Sequence, residues 1–593
     1  MLTGLAAVTL IFGTGLRDPF NAPKMWLLFL FGAWFLGQII GELLKDIRSK
    51  SLNSSSIIIL GIISSFLVFN LLALLMTDYK YIGLFGDYQR RTGFLTYLCL
   101  TLFFLITSMK IRFRDGVRFS YWIFAIALLL CSYSVLQHFG HDFVRWNNPY
   151  NSVLGTVGNP NFAAALMGIF SVILFGFAIN SETSSSFRSI LLISVFLLNL
   201  TIYYSGSLQG FLSAAVGFGV LIFIWVWQRN KILGWSVLGL GITGGLLSVL
   251  GILQIGPFSF LFKESITYRG DYWRAGIRML QENIWFGVGL DRYGAYFKEY
   301  RDVAQTIRRG PEAGTNAAHN VFIQLGATGG IFVLLSYVVL IGFIFWRGIV
   351  GLREGVGARQ ILFATFFGAW LTYLAQSIIS IDNIGVAIWG WVLGGAVVGL
   401  SYNKEGDVRP KGVKSEAIST LTLSLSSVFL IIALGFSYLF YTAERAQQDV
   451  GRYAPPKNAS AQPKYEEFVT KSLKIKPIEP RFRFMAAQFF FKARMNDQAV
   501  EQLKLAIEND PREYPSRSTL ADFYEKSNKP ELALPIRKYL VTIDPYNFIN
   551  LLALGRDLKA TGDIEGAKAL VEKIASIAPE SEELKSAKSE FLA

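Results

Sequence analysis

The chain reads as an all-α protein: a polytopic transmembrane helix bundle followed by an α-helical solenoid. Three observations lead there. Hydrophobic residues make up 52% of 593 positions against 17% charged, with mean hydropathy +0.41, which is too apolar for a soluble globular protein. Apolar runs near the length that crosses a bilayer, roughly 17 to 25 residues, recur along the first 441 positions. Beyond residue 441 that pattern stops, and a period of 34 residues replaces it.

The apolar runs fall at 2–16, 25–43, 56–76, 93–109, 119–138, 161–179, 189–204, 211–227, 233–254, 318–346, 361–380, 384–401 and 418–441, about thirteen spans. The first lacks a basic leader and a small-residue cleavage site, so Met1 to Gly15 reads as a short span and not as a removed signal peptide. The loops at 45–50, 110–118, 188, 229–231, 347–359 and 404–414 carry seventeen Lys/Arg, against six in the alternate short loops. Positive flanks stay in the cytoplasm, so the expected topology is N-terminus in, with the long 255–317 insertion and the C-terminus outside. The resulting division is a membrane domain over 1–417, a last span at 418–441 and an external domain over 442–593.

In that external part Pro477, Pro511, Pro545 and Pro579 recur every 34 residues, as do Ala499, Ala533 and Ala567, and the small residues Ala487, Ala521 and Gly555. Three columns at one period, with small residues where two helices would cross and proline closing the second, resemble the tetratricopeptide repeat. The resemblance implies a concave surface for a protein partner, with a stabilising cap as the alternative. Because repeats contact mainly their neighbours, it also implies a tail dispensable for folding of the membrane part.

A net charge of +14 raises nucleic acid as a partner, but cations in a membrane protein belong to cytoplasmic loops and anionic head groups. Membrane lipids are therefore the expected partner, and no nucleic acid is. Cys99 and Cys131 lie inside apolar runs and read as packing residues, and no Cys/His cluster has metal-ligand spacing, so neither metal nor cofactor is expected.

Chemistry is expected in the stretch from Pro257 to Thr328, which carries nine Lys/Arg and one His, His319, placed where the next apolar run begins. A neutral imidazole near pH 7 accepts a proton from a hydroxyl, which makes His319 the candidate base. Arg269 repeats at helical spacing with Trp273 and Gly276, and Arg274 and Arg278 stand four apart. Guanidinium forks beside a membrane suit the oxygens of a lipid diphosphate. The glycines of WFGVGLDRYG, Gly287, Gly289 and Gly294, bring the backbone close to some other group. Two further outer loops supply Arg90 and Arg91 in GLFGDYQRRTGF, and Asn159 and Asn161 in GTVGNPNFAAALM; Asn320 follows His319.

The three ordered motifs, GTVGNPNFAAALM, the R-x3-W-x2-G stretch ending in FGVGLDRYGAYF, and AAHNVFIQLGATGG, are similar to those of the O-antigen ligase and polymerase superfamily, over roughly residues 80–400. The resemblance implies a metal-independent, inverting glycosyltransferase. It would move a glycan from an undecaprenyl-diphosphate carrier to a glycolipid, glycan or protein acceptor outside a bacterial plasma membrane. It places catalytic roles on His319 and Arg269 and substrate contacts on Arg90, Arg91, Asn159, Asn161, Arg274, Arg278 and Asn320. SGSLQG at 205–210 departs from the Ser-Arg-Gly common in that family, with Leu208 and Gln209 where the arginine would stand. A glycan polymerase and a protein O-oligosaccharyltransferase share these motifs and differ in acceptor. A transporter of lipid-linked glycans is the rival of another class, and would bring internal repeats among spans and mid-membrane charges.

Overall fold

The computed structural model describes residues 1–49, 54–146, 153–402, 419–456, 458–475 and 480–592. Lys50, Lys404, Arg409, Lys411, Lys414 and Pro477, used above for orientation and period, lie outside them.

The apolar runs are helices. They are α1 (Leu2–Leu10), α2 (Asn21–Arg48), α3 (Ser54–Met76), the short α4 (Lys80–Phe85), α5 (Phe94–Lys110), α6 (Gly116–His138), α7 (Pro160–Ile179), α8 (Ser185–Tyr204), α9 (Leu208–Trp227) and α10 (Lys231–Ile252). The long loop holds α11 (Glu264–Glu282), α12 (Tyr293–Tyr300) and α13 (Val303–Arg309); α14 (Val321–Glu354), α15 (Gly357–Ile379), α16 (Ile384–Tyr402) and α17 (Thr420–Arg452) follow. Among the described residues eleven helices are long and apolar enough to cross a membrane, and α5 is a shorter apolar helix. At the centre, α16 is buried along its whole length and α7 nearly so, whereas α10 presents apolar side chains outward, as a lipid-facing helix does.

The first expected span is not one. At nine residues α1 is about 13 Å long, under half of a hydrocarbon core of about 30 Å. Its exposed last-turn carbonyls would be costly in that setting, and they are met from inside the bundle. The fully buried Lys24 ammonium donates to Val8 O, Thr9 O and Ile11 O at 3.1, 3.0 and 2.7 Å, and Thr156 Oγ1 donates to Thr9 O at 2.7 Å. The chain then turns through residues 11–20 at the end of the bundle that carries the long loop, where Arg452 donates to Thr14 O at 3.1 Å. Crossings counted from that loop still return α17 to the same end.

The long helix α14 is broken. Gly330 has φ 80° inside it, and the break frees backbone groups that WFGVG takes up. Val288 N and Gly289 N donate to Ala327 O and Thr328 O at 2.9 and 3.1 Å, and Ile331 N donates to Ile284 O at 2.8 Å. The close approach expected of Gly287 is thus to α14 itself, whereas a Cβ at Gly289 would meet Thr77 Cγ2 at 2.9 Å. Gly294 packs on Asn316.

α17 does not stop at 441 but runs on to Arg452, and its Ala443 and Val450 enter the core of the C-terminal part. There α18 (Gln462–Lys474) leads into helices beginning at 480, 514, 548 and 582 that alternate with helices beginning at 496, 530 and 564: α19 (Pro480–Lys492), α20 (Asn496–Asn509), α21 (Tyr514–Lys526), α22 (Pro530–Ile543), α23 (Phe548–Ala560), α24 (Ile564–Ile577) and α25 (Glu582–Phe591). Ala499, Ala533 and Ala567, with Ala487 and Ala521, are fully buried where paired helices meet, which explains why those columns stay small.

This part is bolted to the long loop. Arg292 of the loop donates from Nη2 to Asp510 Oδ1 at 2.9 Å, and Arg301 from Nη2 to Asp544 Oδ1 at 2.6 Å, all four side chains being buried. Asp510 and Asp544 are themselves 34 residues apart, each before the proline of its turn. Lys298 adds a contact to Asp544 at 3.2 Å, Arg512 pairs with Glu299, and Val303 packs against the last hairpins. A tail that shares buried charges with the loop is part of its fold, contrary to the independence a repeat array implies.

Candidate active site at the loop end of the bundle

α11 places the site because one of its faces carries Arg269, Trp273 and Gly276. At Gly276 any side chain would meet Ile323 Cγ2, 2.6 Å from the position of a Cβ, so glycine lets α11 lie flush on the start of α14. Trp273 Nε1 then reaches His319 O at 3.4 Å, and Arg269 Nη2 reaches Gln209 Oε1 at 3.0 Å. His319 itself sits just before α14 with φ 53°, a left-handed conformation that turns the chain into the helix. Its ring lies 5.2 Å from that of Tyr272 and is half-buried. Neither ring nitrogen has a hydrogen-bond partner among the described residues.

Three guanidiniums surround this imidazole: Arg90, Arg269 and Arg309. Burial first, then the charges of Arg90, Arg269 and Arg309, push the His319 pKa down from 6.5 to about 3. The ring is therefore neutral, and able to accept a proton, throughout the physiological range. Each arginine is held by a neutral partner. Arg90 donates from Nε and Nη2 to Asn316 Oδ1 at 3.0 and 2.7 Å, Arg269 to the Gln209 amide, and Arg309 to the Tyr272 hydroxyl. Burial lowers the pKa values of Arg90 and Arg269; the nearby carboxylates Asp87 and Asp291 oppose it at Arg90, whereas no carboxylate does so at Arg269.

The other expected contacts lie elsewhere. Arg91 is turned away: its guanidinium is 1% exposed and donates to Glu444 Oε1 of α17 at 2.6 Å, with Asp18 3.8 Å off, so it fastens α17 to the 11–20 loop. Arg274 is occupied by Asp271 and Asp302, and Arg278 donates to Tyr300 O at 3.2 Å on the exposed side of α11. Asn159 and Asn320 cap α7 and α14, accepting from Asn161 N and Ile323 N at 2.9 and 3.0 Å. Asn161 accepts from Ser207 at 2.8 Å, two residues before Gln209, and so stands beside the site without touching His319. Arg309, Gln209 and Gln376 join the site from outside the expected set. Arg309 is one of the loop cations, and nothing in its neighbouring residues marks it; Gln209 is marked only by the departure in SGSLQG.

Next to Arg90 and Asn316 a cleft of about 250 Å3 opens between the loops at this end of the bundle and the C-terminal hairpins, lined by Tyr88, Gln89, Asn316, Arg481, Glu513 and Tyr514 among others. It mixes donors, acceptors and aromatic faces.

No curated protein matches the chain. The family model of the O-antigen ligase matches residues 190–338, the stretch that holds Gln209, Arg269, Arg309 and His319. Over residues 190–338 the chain is similar to the O-antigen ligase family.

Proposed function

We propose that the chain moves a glycan from an undecaprenyl-diphosphate carrier to an acceptor hydroxyl on the outer side of a bacterial plasma membrane. The observation that carries this reading is the set of three arginines, each satisfied by an amide or a phenol, gathered round one unprotonated imidazole. Arg269 and Arg309 have no carboxylate bonded to them among the described residues, and a diphosphate supplies negative charge and paired acceptor oxygens to guanidinium forks. Its position at one end of the bundle lets the prenyl chain remain in lipid.

In the reaction, the acceptor oxygen attacks the anomeric carbon and inverts it. The bond from that carbon to the diphosphate breaks, and the leaving group keeps the electron pair, its charge held by Arg269, Arg90 and Arg309. The hydroxyl proton passes to His319. The bound diphosphate would also raise the depressed imidazole pKa, so donor binding strengthens the base before the acceptor reacts. The cleft at Asn316 is the route for the acceptor, and the tetratricopeptide-like tail, external in this topology, forms its far wall.

The test is incubation of purified full-length chain with lipid-linked glycan and candidate glycolipid, glycan and protein acceptors, without added metal, reading glycan transfer. Absence of transfer to any of them, with donor binding intact, would point to a carrier of lipid-linked glycans instead.

A further inference from the structure

Arg269 starts a chain of hydrogen bonds whose direction is forced. A guanidinium only donates, so Gln209 must turn its Oε1 toward Arg269. Its Nε2 is then left to face Gln376 in the last turn of α15, where it donates to Oε1 at 2.7 Å. Gln376 is obliged in turn to present its own amide nitrogen elsewhere. That nitrogen has no acceptor among the described residues, although the side chain is 1% exposed. Inverting both amides would set the Gln209 NH2 against the guanidinium and remove the acceptor that holds Arg269.

A buried donor without an acceptor bears its full desolvation cost, which an oxygen arriving there would relieve. Gln209 lies in the first turn of α9 and Gln376 in the last turn of α15, both at the loop end of the bundle, and the amide nitrogen is one side chain removed from Arg269. The same end of α9 offers its positive pole. Resting on the donor proposed above, we infer that Gln376 Nε2 donates to an oxygen of the carrier's diphosphate while Arg269 holds another. Gln209 is the positioning residue that orients both donors. It receives the arginine on one side and fixes the polarity of Gln376 on the other, so a single amide coordinates a charged and an uncharged anchor.

The experiment uses purified full-length chain and farnesyl diphosphate as probe, with affinity measured by calorimetry alongside farnesyl monophosphate. Gln376→Met keeps length and loses the donor; it should weaken farnesyl diphosphate about tenfold and the monophosphate less. Gln376→Glu keeps an acceptor for Gln209 but puts a carboxylate where the donor stood, and should weaken the diphosphate further. Wild-type affinity in either variant would overturn the inference, since the partner of that amide would then be solvent. Failure of the wild-type chain to bind farnesyl diphosphate would overturn the donor reading itself, and the inference with it.

Discussion

Arg301 in the long loop and Asp544 in the C-terminal hairpins meet at 2.6 Å with both side chains fully buried, across a sequence separation of 243 residues. The loop that frames the candidate site is therefore held from two sides, by the broken helix α14 below and by the repeated Asp-Pro turns above. The tail's surface is occupied at those turns by the chain's own loop.

Asp544→Ala should cost about 3–5 kcal/mol, because it leaves the fully buried Arg301 without its carboxylate and Lys298 with only the longer carboxylate contact, to Glu312. Thermal unfolding of the purified chain checks this, and truncation after Tyr441, which also removes Glu444 from Arg91, should abolish a stable product. A well-folded truncation would restore the tail as an independent module.

Arg269→Lys should be nearly as damaging as Arg269→Ala. Lysine keeps the charge but loses the fork that holds Gln209 and a diphosphate oxygen together. The loss expected is roughly 2–4 kcal/mol at the transition state, on the order of a hundredfold or more in transfer rate. Turnover of the lysine variant at the wild-type rate would mean that charge alone matters there.

For His319, kcat/KM for the donor should show no inflection near pH 6.5, because the free imidazole titrates at about 3. An acid limb should appear in kcat, where bound diphosphate raises that pKa, and should vanish in His319→Gln together with most of the turnover. The sign for stability follows from the same shift. The unfolded chain takes up the proton first, so the contribution is complete above about pH 6.5 and is lost as pH falls toward about 3. Near-normal turnover with glutamine would rule out the base.

Gly330→Ala should be strongly destabilising. Its φ of 80° disfavours any side chain, and a Cβ would run into Trp285 O, the carbonyl before Phe286 on the inserted loop. In the same helix Gly342→Ala meets nothing within 4 Å and should be neutral in the same melting experiment.

Cysteines introduced at Ser581 and Arg353 should label from outside and inside the cell respectively, since the loop end and the C-terminal hairpins share one face of the bundle. Both native cysteines are buried and should stay silent. Labelling of Ser581 only after permeabilisation would reverse the orientation.

The sequence by itself determined the helices, because a run of apolar side chains near 20 residues has one low-energy form in lipid, in which every backbone group is paired within the run. It also determined the 34-residue step and the gathering of Arg269, Trp273 and Gly276 on one helix face, since both are local periodicities. Only the tertiary structure decided that α1 turns back, because that depends on Lys24 satisfying carbonyls thirteen to sixteen residues away in the chain. It alone separated Arg90 from Arg91. The two are adjacent and chemically identical, and the φ of 59° at Arg91 sends its side chain to Glu444 while Arg90 remains at Asn316. It alone brought Gln209, Gln376 and Arg309 to the site, because a hydrogen bond between residues 167 positions apart leaves no pattern in either neighbourhood. Local periodicity writes itself into sequence, and long-range pairing of polar groups does not.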